Sequence, residues 1–222
     1  MAVSQEDQAY NKIKVAISKG YIKKGSKLKE VPLSKSLDMS RATVKGAIKR
    51  LVFEGLAEYV PNKGVSVVNP TLEEIHQTFL VRAQLEQMAV SLAAPGLTAK
   101  DFKELEALVE KEEALCDARE VKGYYEINDA FHLKIVERSD NQVLVHYVKE
   151  LLQKTTIYLI LFDPFFQLID VNNLSPDEHR EILGLLQNNE GEAAGLAMKH
   201  HLASTVSGID MDRLYPSDYL TV

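Results

Sequence analysis

The chain has 222 residues, a formal net charge of -6 and one cysteine, Cys116. That length is enough for two separate cores, and a lone cysteine excludes an internal disulfide framework. The longest apolar run, Ile157 to Ile169, contains Asp163 and Pro164 and is too short to span a bilayer, and Met1 to Tyr10 carries no signal-peptide pattern. A soluble, cytoplasmic protein with no membrane partner is expected.

Ala9, Ile13, Ala16 and Ile17 repeat at helical spacing, and Gly20 and Gly25 punctuate the chain after them. Val31 to Leu37 is a short predicted helix, with Pro32 tolerable in its first turn and Leu33 and Leu37 four residues apart. Asp38 and Met39 form the turn that follows. Ser40 then caps a helix to Leu51, in which Val44, Ala47, Ile48 and Leu51 share one face while Arg41, Thr43, Lys45, Lys49 and Arg50 fall on others. Such a pattern suits both a DNA-reading helix and an ordinary solvated surface helix, so its surroundings must decide. A partner helix across a tight turn is what a recognition helix requires. Downstream, Gly55 ends the helix, and Leu56 to Val60 and Val65 to Val68 are β-prone runs joined by Pro61, Asn62, Lys63 and Gly64. This hairpin reads as a wing, its tip placing the Lys63 cation beside Gly64, where the backbone can approach a phosphate or the minor groove closely.

Charge points the same way. Residues 1–70 hold 13 Lys or Arg against 6 Asp or Glu, a balance of +7, and the remainder holds 13 against 26, a balance of -13. A basic amino-terminal third on an acidic chain of pI 5.6 is the electrostatic footprint of a nucleic-acid-binding module joined to something else.

Pro70 and Thr71 mark the expected boundary, with Glu74 completing a capping box on Thr71. Two domains follow from this, a winged helix-turn-helix over 1–70 and an all-helical domain over 71–222. In the second, helices are expected to break near Pro95-Gly96, Gly123, Asp140-Asn141, Asp163-Pro164, Asn172 to Pro176 and Asn188 to Gly191. Leucine-rich helices with short connections imply a bundle, and the fold class is mainly α. His132 follows Asn128 by four residues and shares its helical face. His179 comes just after Ser175-Pro176-Asp177-Glu178, and His201 lies in the last long helix. Three histidines and an oxygen donor from three helices can converge on a divalent cation; each is equally at home as a hydrogen-bonded helix residue.

The segment 28–69, with its L-x-E-x-x-L-S-x-x-L-x-M-S-R-x-x-V-K-x-A-I-x-R-L-x-x-E-G-L run and later P-x-x-G-V-x-V, resembles the DNA-binding domain of the GntR family of bacterial transcription regulators. The resemblance implies operator contacts from Ser40, Arg41, Lys45, Lys49 and Gly64. Lys45 stands for a usual arginine, Val31 for an arginine often found before the turn, and Gly46 for a usual glutamate, a change that allows close approach to the groove. Lysine lacks the bidentate fork that reads guanine, so Lys45 is expected to hold a phosphate. The segments N-D-A-F-H, E-H-R-E-I and A-M-K-H-H-L, with V-R-x-x-L-E at Val81 to Glu86, resemble the FCD ligand-binding domain of the FadR subfamily.

That likeness implies a cation of the zinc, nickel or manganese class held by Asn128, His132, His179 and His201, and a small carboxylate effector. Asn128 in place of the commoner aspartate removes a negative charge, so the metal should be held less tightly and carry an excess positive charge that favours an anion. Asp129, about 100° round the helix, is the poorer ligand. Arg82 and Arg180 are candidates to pair with the effector, Arg82 equally for an intrahelical pair with Glu86. Tyr124, Tyr125, Tyr158 and Phe162 are either pocket walls or core. The expected protein is a DNA-binding homodimer on a palindromic operator, acting as a repressor under effector control and not as an enzyme. A dimer that senses nothing is the alternative. A metal hydrolase with Glu178 or Glu126 as base lacks any nucleophile motif such as G-x-S-x-G and gives no reason for a basic winged helix.

Overall fold

A computed structural model of the chain describes residues 4–118, 121–162, 175–207 and 209. The chain divides into two compact units, Met1–Thr71 and Leu72–Val222.

In the first unit α1 (Gln5–Ser18) is closed by a Ser4/Asp7 capping box and buries Ala9, Tyr10, Ile13 and Ile17. The short α2 (Glu30–Leu37) stops where Asp38 adopts a left-handed conformation, φ 53°. Next comes α3 (Arg41–Phe53), whose Ser40 cap accepts from the Thr43 amide at 3.1 Å. Its buried residues are Val44, Ala47, Ile48 and Leu51, the face the spacing predicts. Strands β1 (Ala57–Val60) and β2 (Gly64–Val67) pair antiparallel, Ala57 opposite Val67 and Val60 opposite Gly64. Asn62 and Gly64 turn the hairpin with φ of 62° and 87°. The sequence reading omits one feature: residues 25–28 lie along the other edge of β2. There Lys27 bridges Ser66, and the Leu28 amide donates to the Val65 carbonyl at 2.9 Å. A Gly-Ser-Lys run between two helices gives no strand signal of its own; the pairing comes from Leu28, which is buried in the core.

A β-carbon on Gly46 would meet the Glu6 carboxylate of α1, so the missing side chain also leaves room for Glu6 between α1 and α3.

The second unit is all helical: α4 (Leu72–Ala93), α5 (Ala99–Asp117), α6 (Val121–Val136), α7 (Gln142–Phe162), α8 (Ser175–Gln187) and α9 (Gly191–Ser207). Its core joins Val90, Leu105, Val109, Phe131, Ile135, Ile182, Leu186 and Met198. Gly191 and Gly195 allow α9 to cross α4 closely, since a β-carbon on Gly195 would stand 2.7 Å from the Gln87 carbonyl oxygen. The break expected near Gly123 falls just before it, between α5 and the start of α6 at Val121, and the glycine itself lies in the first turn of α6, where a β-carbon would meet Leu115 at 3.0 Å. Asp140, φ 53°, and the Asn141 side chain, which accepts from the Leu144 amide at 3.1 Å, do separate α6 from α7. The expected break at Asp163-Pro164, and Asn172 to Leu174 of the next, lie outside the described residues. Among those described, no helix is long and apolar enough to cross a membrane.

Candidate metal centre and nucleic-acid interface

Within the helical unit, α6, α8 and α9 bring His132, His179 and His201 together, with one donor nitrogen of each within 4.8 Å of the others. All three side chains are buried. Each ring has a carboxylate on its Nδ1: Glu86 Oε2 at 2.6 Å for His132, Glu112 Oε2 at 2.7 Å for His179 and Glu178 Oε2 at 2.7 Å for His201. A carboxylate accepts, so each Nδ1–H donates to it, and on a neutral ring that leaves the Nε2 lone pair free. The consequence is visible inward. His179 Nε2 and His201 Nε2 face one another at 3.3 Å, and His132 Nε2 is buried without a hydrogen-bond partner. Burial holds His132 down at about 3 and His179 well below the ordinary histidine value, so both stay neutral, the form that ligates metal. Two Nε2 atoms 3.3 Å apart and an orphaned, buried imidazole nitrogen fit a divalent cation, and histidine backed by carboxylate is the usual supporting arrangement.

Asn128 is also buried, four residues before His132 on α6, and its Nδ2 donates to Asp129 Oδ1 at 3.4 Å. Asp129 turns instead to α7, where the Thr156 hydroxyl lies 2.8 and 2.9 Å from its two oxygens; burial pushes its carboxyl up to about 6. Carboxylates stand behind the imidazoles as well. Glu86 is fully buried, and although burial opposes ionisation, Arg82 and His132 hold it down at about 2; burial pushes Glu112 up to about 7.

Arg82 makes the intrahelical pair with Glu86. Its Nε donates to Glu86 Oε1 at 2.6 Å and its Nη1 to Thr155 Oγ1 at 2.7 Å, while the buried Nη2 has no partner. Arg180 is not brought to the histidines. Its guanidinium, 43% exposed, bonds Glu113 and Asp177 at the surface between α5 and α8. Tyr124, Tyr125, Tyr158 and Phe162 sit in a core cluster with Ile75, Phe79 and Leu202, which is the packing alternative. Neither proposed hydrolase base is free for that work: Glu178 is held by His201 and Ser204, and Glu126 is exposed. Glu86 and Glu112 are the functional residues that spacing missed. Glu86 closes the V-R-x-x-L-E segment, but Glu112 stands in an acidic run where nothing distinguishes it from Glu110 or Glu113.

In the first unit, Arg41, Lys45 and Lys49 are exposed along α3, and Thr43 lies beside the Ser40 cap, their hydroxyls 2.8 Å apart. Lys63 is exposed at the wing tip next to Gly64. Arg50 is different. It binds Asp7 at 2.9 Å and Glu54 at 2.9 Å and lies 3.9 Å over the Tyr10 ring, so its charge ties α3 to α1. The sequence shows only that Arg50 lies off the apolar face; it does not show that α1 brings two partners to it.

Comparison with known proteins adds two matched models: the FCD domain over residues 77–204 and the bacterial regulatory proteins of the gntR family over residues 5–67. The chain is 30% identical over 138 residues to the uncharacterized HTH-type transcriptional regulator YdhC of Bacillus subtilis, covering 62% of each chain. It is 30% identical over 149 residues to the HTH-type transcriptional regulator McbR of Escherichia coli K12, covering 67% of each. The solved structure of E. coli McbR/YncC superposes with a TM-score of 0.68 at 24% identity, covering 96% of this chain and all of that one, a likeness of fold.

Proposed function

Because this chain belongs to the GntR family of bacterial regulatory proteins and joins that family's DNA-binding head to an FCD domain, we propose that it is a repressor whose hold on operator DNA is set by a small organic acid bound beside a divalent cation. DNA binding and transcription regulation come with the family; the effector, the cation and the sign of regulation are our reading. One observation carries it. Three imidazoles, each with a carboxylate on its Nδ1, bring one donor nitrogen apiece within 4.8 Å of one another, and His132 Nε2 is buried with nothing to bond.

His132, His179 and His201 would hold the cation, with Asn128 the oxygen donor from the same face of α6 as His132. When bound, the cation supplies a Lewis-acid position at which a carboxylate oxygen is recognised. The chain's own groups do the rest. Glu86, Glu112 and Glu178 fix the ring orientations, and burial keeps competing water out. Arg82 Nη2 is the donor available to a second oxygen of the acid. Self-association is supported by apolar side chains left exposed in the helical unit: Leu80, Val81 and Met88 on α4, and Val143 and Tyr147 on α7. A homodimer presents two copies of α3 to successive major-groove faces of a palindrome.

Two measurements test the reading. Elemental analysis of the purified full chain is expected to find close to one divalent metal per protomer, lost in His132→Ala; no metal in the wild type after growth with zinc, nickel and manganese would overturn the cation. Thermal shift against a panel of sugar acids and other organic acids is expected to raise Tm for at least one of them. No shift with any acid would favour the dimer that senses nothing.

A further inference from the structure

The operator contacts implied by the family leave a gap where Val31 stands, since that position offers no cation and its side chain is 43% exposed. We infer that Lys29 fills the gap, as a contact to the phosphate strand running between the groove read by α3 and the groove approached by the wing.

The backbone carries the argument. Lys29 is extended, φ -92° and ψ 122°, and precedes α2. Leu28 beside it is buried, so the alternation of an extended segment sends Lys27 and Lys29 out on the opposite face, and both are exposed. The edge pairing fixes what lies next to them. Lys27 bridges Ser66 and the Leu28 amide bonds the Val65 carbonyl, so continuing this register sets Lys29 beside Gly64, the residue after Lys63 at the wing tip. On its other side, Glu30 reaches across to Arg41 Nη2 at 3.8 Å, at the N-terminus of α3. Lys29 therefore stands between the two elements that enter neighbouring grooves. Because one sugar-phosphate strand separates a major groove from the adjacent minor groove, that strand must cross at this point when helix and wing are both seated. A flexible ammonium suits it, since a phosphate contact needs a point charge and not a bidentate fork.

The test uses the full chain and a fluorescein-labelled 30-bp duplex selected by the wild-type protein from a random pool, with binding followed by anisotropy at several salt concentrations. A phosphate contact contributes about 0.9 to the slope of log affinity against log salt. Lys29→Ala is expected to lower the slope by about that amount per half-site bound and to weaken the selected and a scrambled duplex by the same factor, with Lys29→Arg restoring both. Lys149→Ala, on α7, is expected to leave the slope unchanged. A wild-type slope in Lys29→Ala, or a loss confined to the selected duplex, would overturn the assignment. Circular dichroism of the variant separates either result from a folding defect.

Discussion

Glu112 illustrates how far a single residue can matter without touching a ligand. It accepts from His179 Nδ1 at 2.7 Å and from Ser175 at 3.4 Å, and although burial pushes its carboxyl up to about 7, its ionised form is felt by the imidazole with little screening. Glu112→Gln keeps the shape and an acceptor oxygen but removes the charge. Replacing such a supporting group typically lowers metal affinity 10- to 100-fold, and competition with a fluorescent chelator is expected to show a loss of about 10-fold. Unchanged affinity would mean that the glutamate only packs. The histidines were legible in the sequence because the FCD segments mark them. Their supports were not, because pairing α5 with α8 is a tertiary event with no local spacing. Arg50 was hidden in part for the same reason: Glu54 follows it by four residues, but Asp7 and Tyr10 reach it only through the packing of α1 on α3.

At the scale of elements, helix limits follow local chemistry where caps are present and are offset by a few residues where only a glycine marks them. Ser40 and Asp140 mark boundaries that the structure keeps. Gly123 lies just inside α6 and not at the boundary before it, since a helix can carry a glycine at a cost of about 1 kcal/mol where a neighbour, here Leu115, takes the space. The start of α5 offers a pH test. Its cap Thr98 is reciprocated by Asp101, which is fully buried and also receives two bonds from Arg138, at 2.6 and 3.0 Å. The Thr98 hydrogen bonds, with Arg138 and against burial, hold the Asp101 carboxyl well below the ordinary aspartate range. A depressed folded value means the contribution is fully present above the unfolded pKa of about 3.9 and is lost as pH falls through the lower folded value. Asp101→Asn is therefore expected to lower Tm at pH 7 while melting with a shallower acid limb below pH 4 than the wild type. Parallel acid limbs would show that other carboxylates control acid unfolding.

For the whole molecule, the basic first unit and the acidic second one were visible as a change in charge balance, and the winged helix and helical bundle as a change in periodicity. The strand-like edge at residues 25–28 was not visible, since it exists only by pairing with β2. In the proposed function the two units are joined by differential affinity: an acid would alter repression only by binding one arrangement of the DNA-binding heads better than another. That claim is tested most directly by measuring operator affinity of the metal-loaded full chain with and without the acid that raises its Tm, beside His179→Ala. Typical coupling predicts at least a 5-fold change in the wild type and none in the variant. An unchanged affinity in the wild type, or the same response in His179→Ala, would contradict an effector acting through the histidine centre.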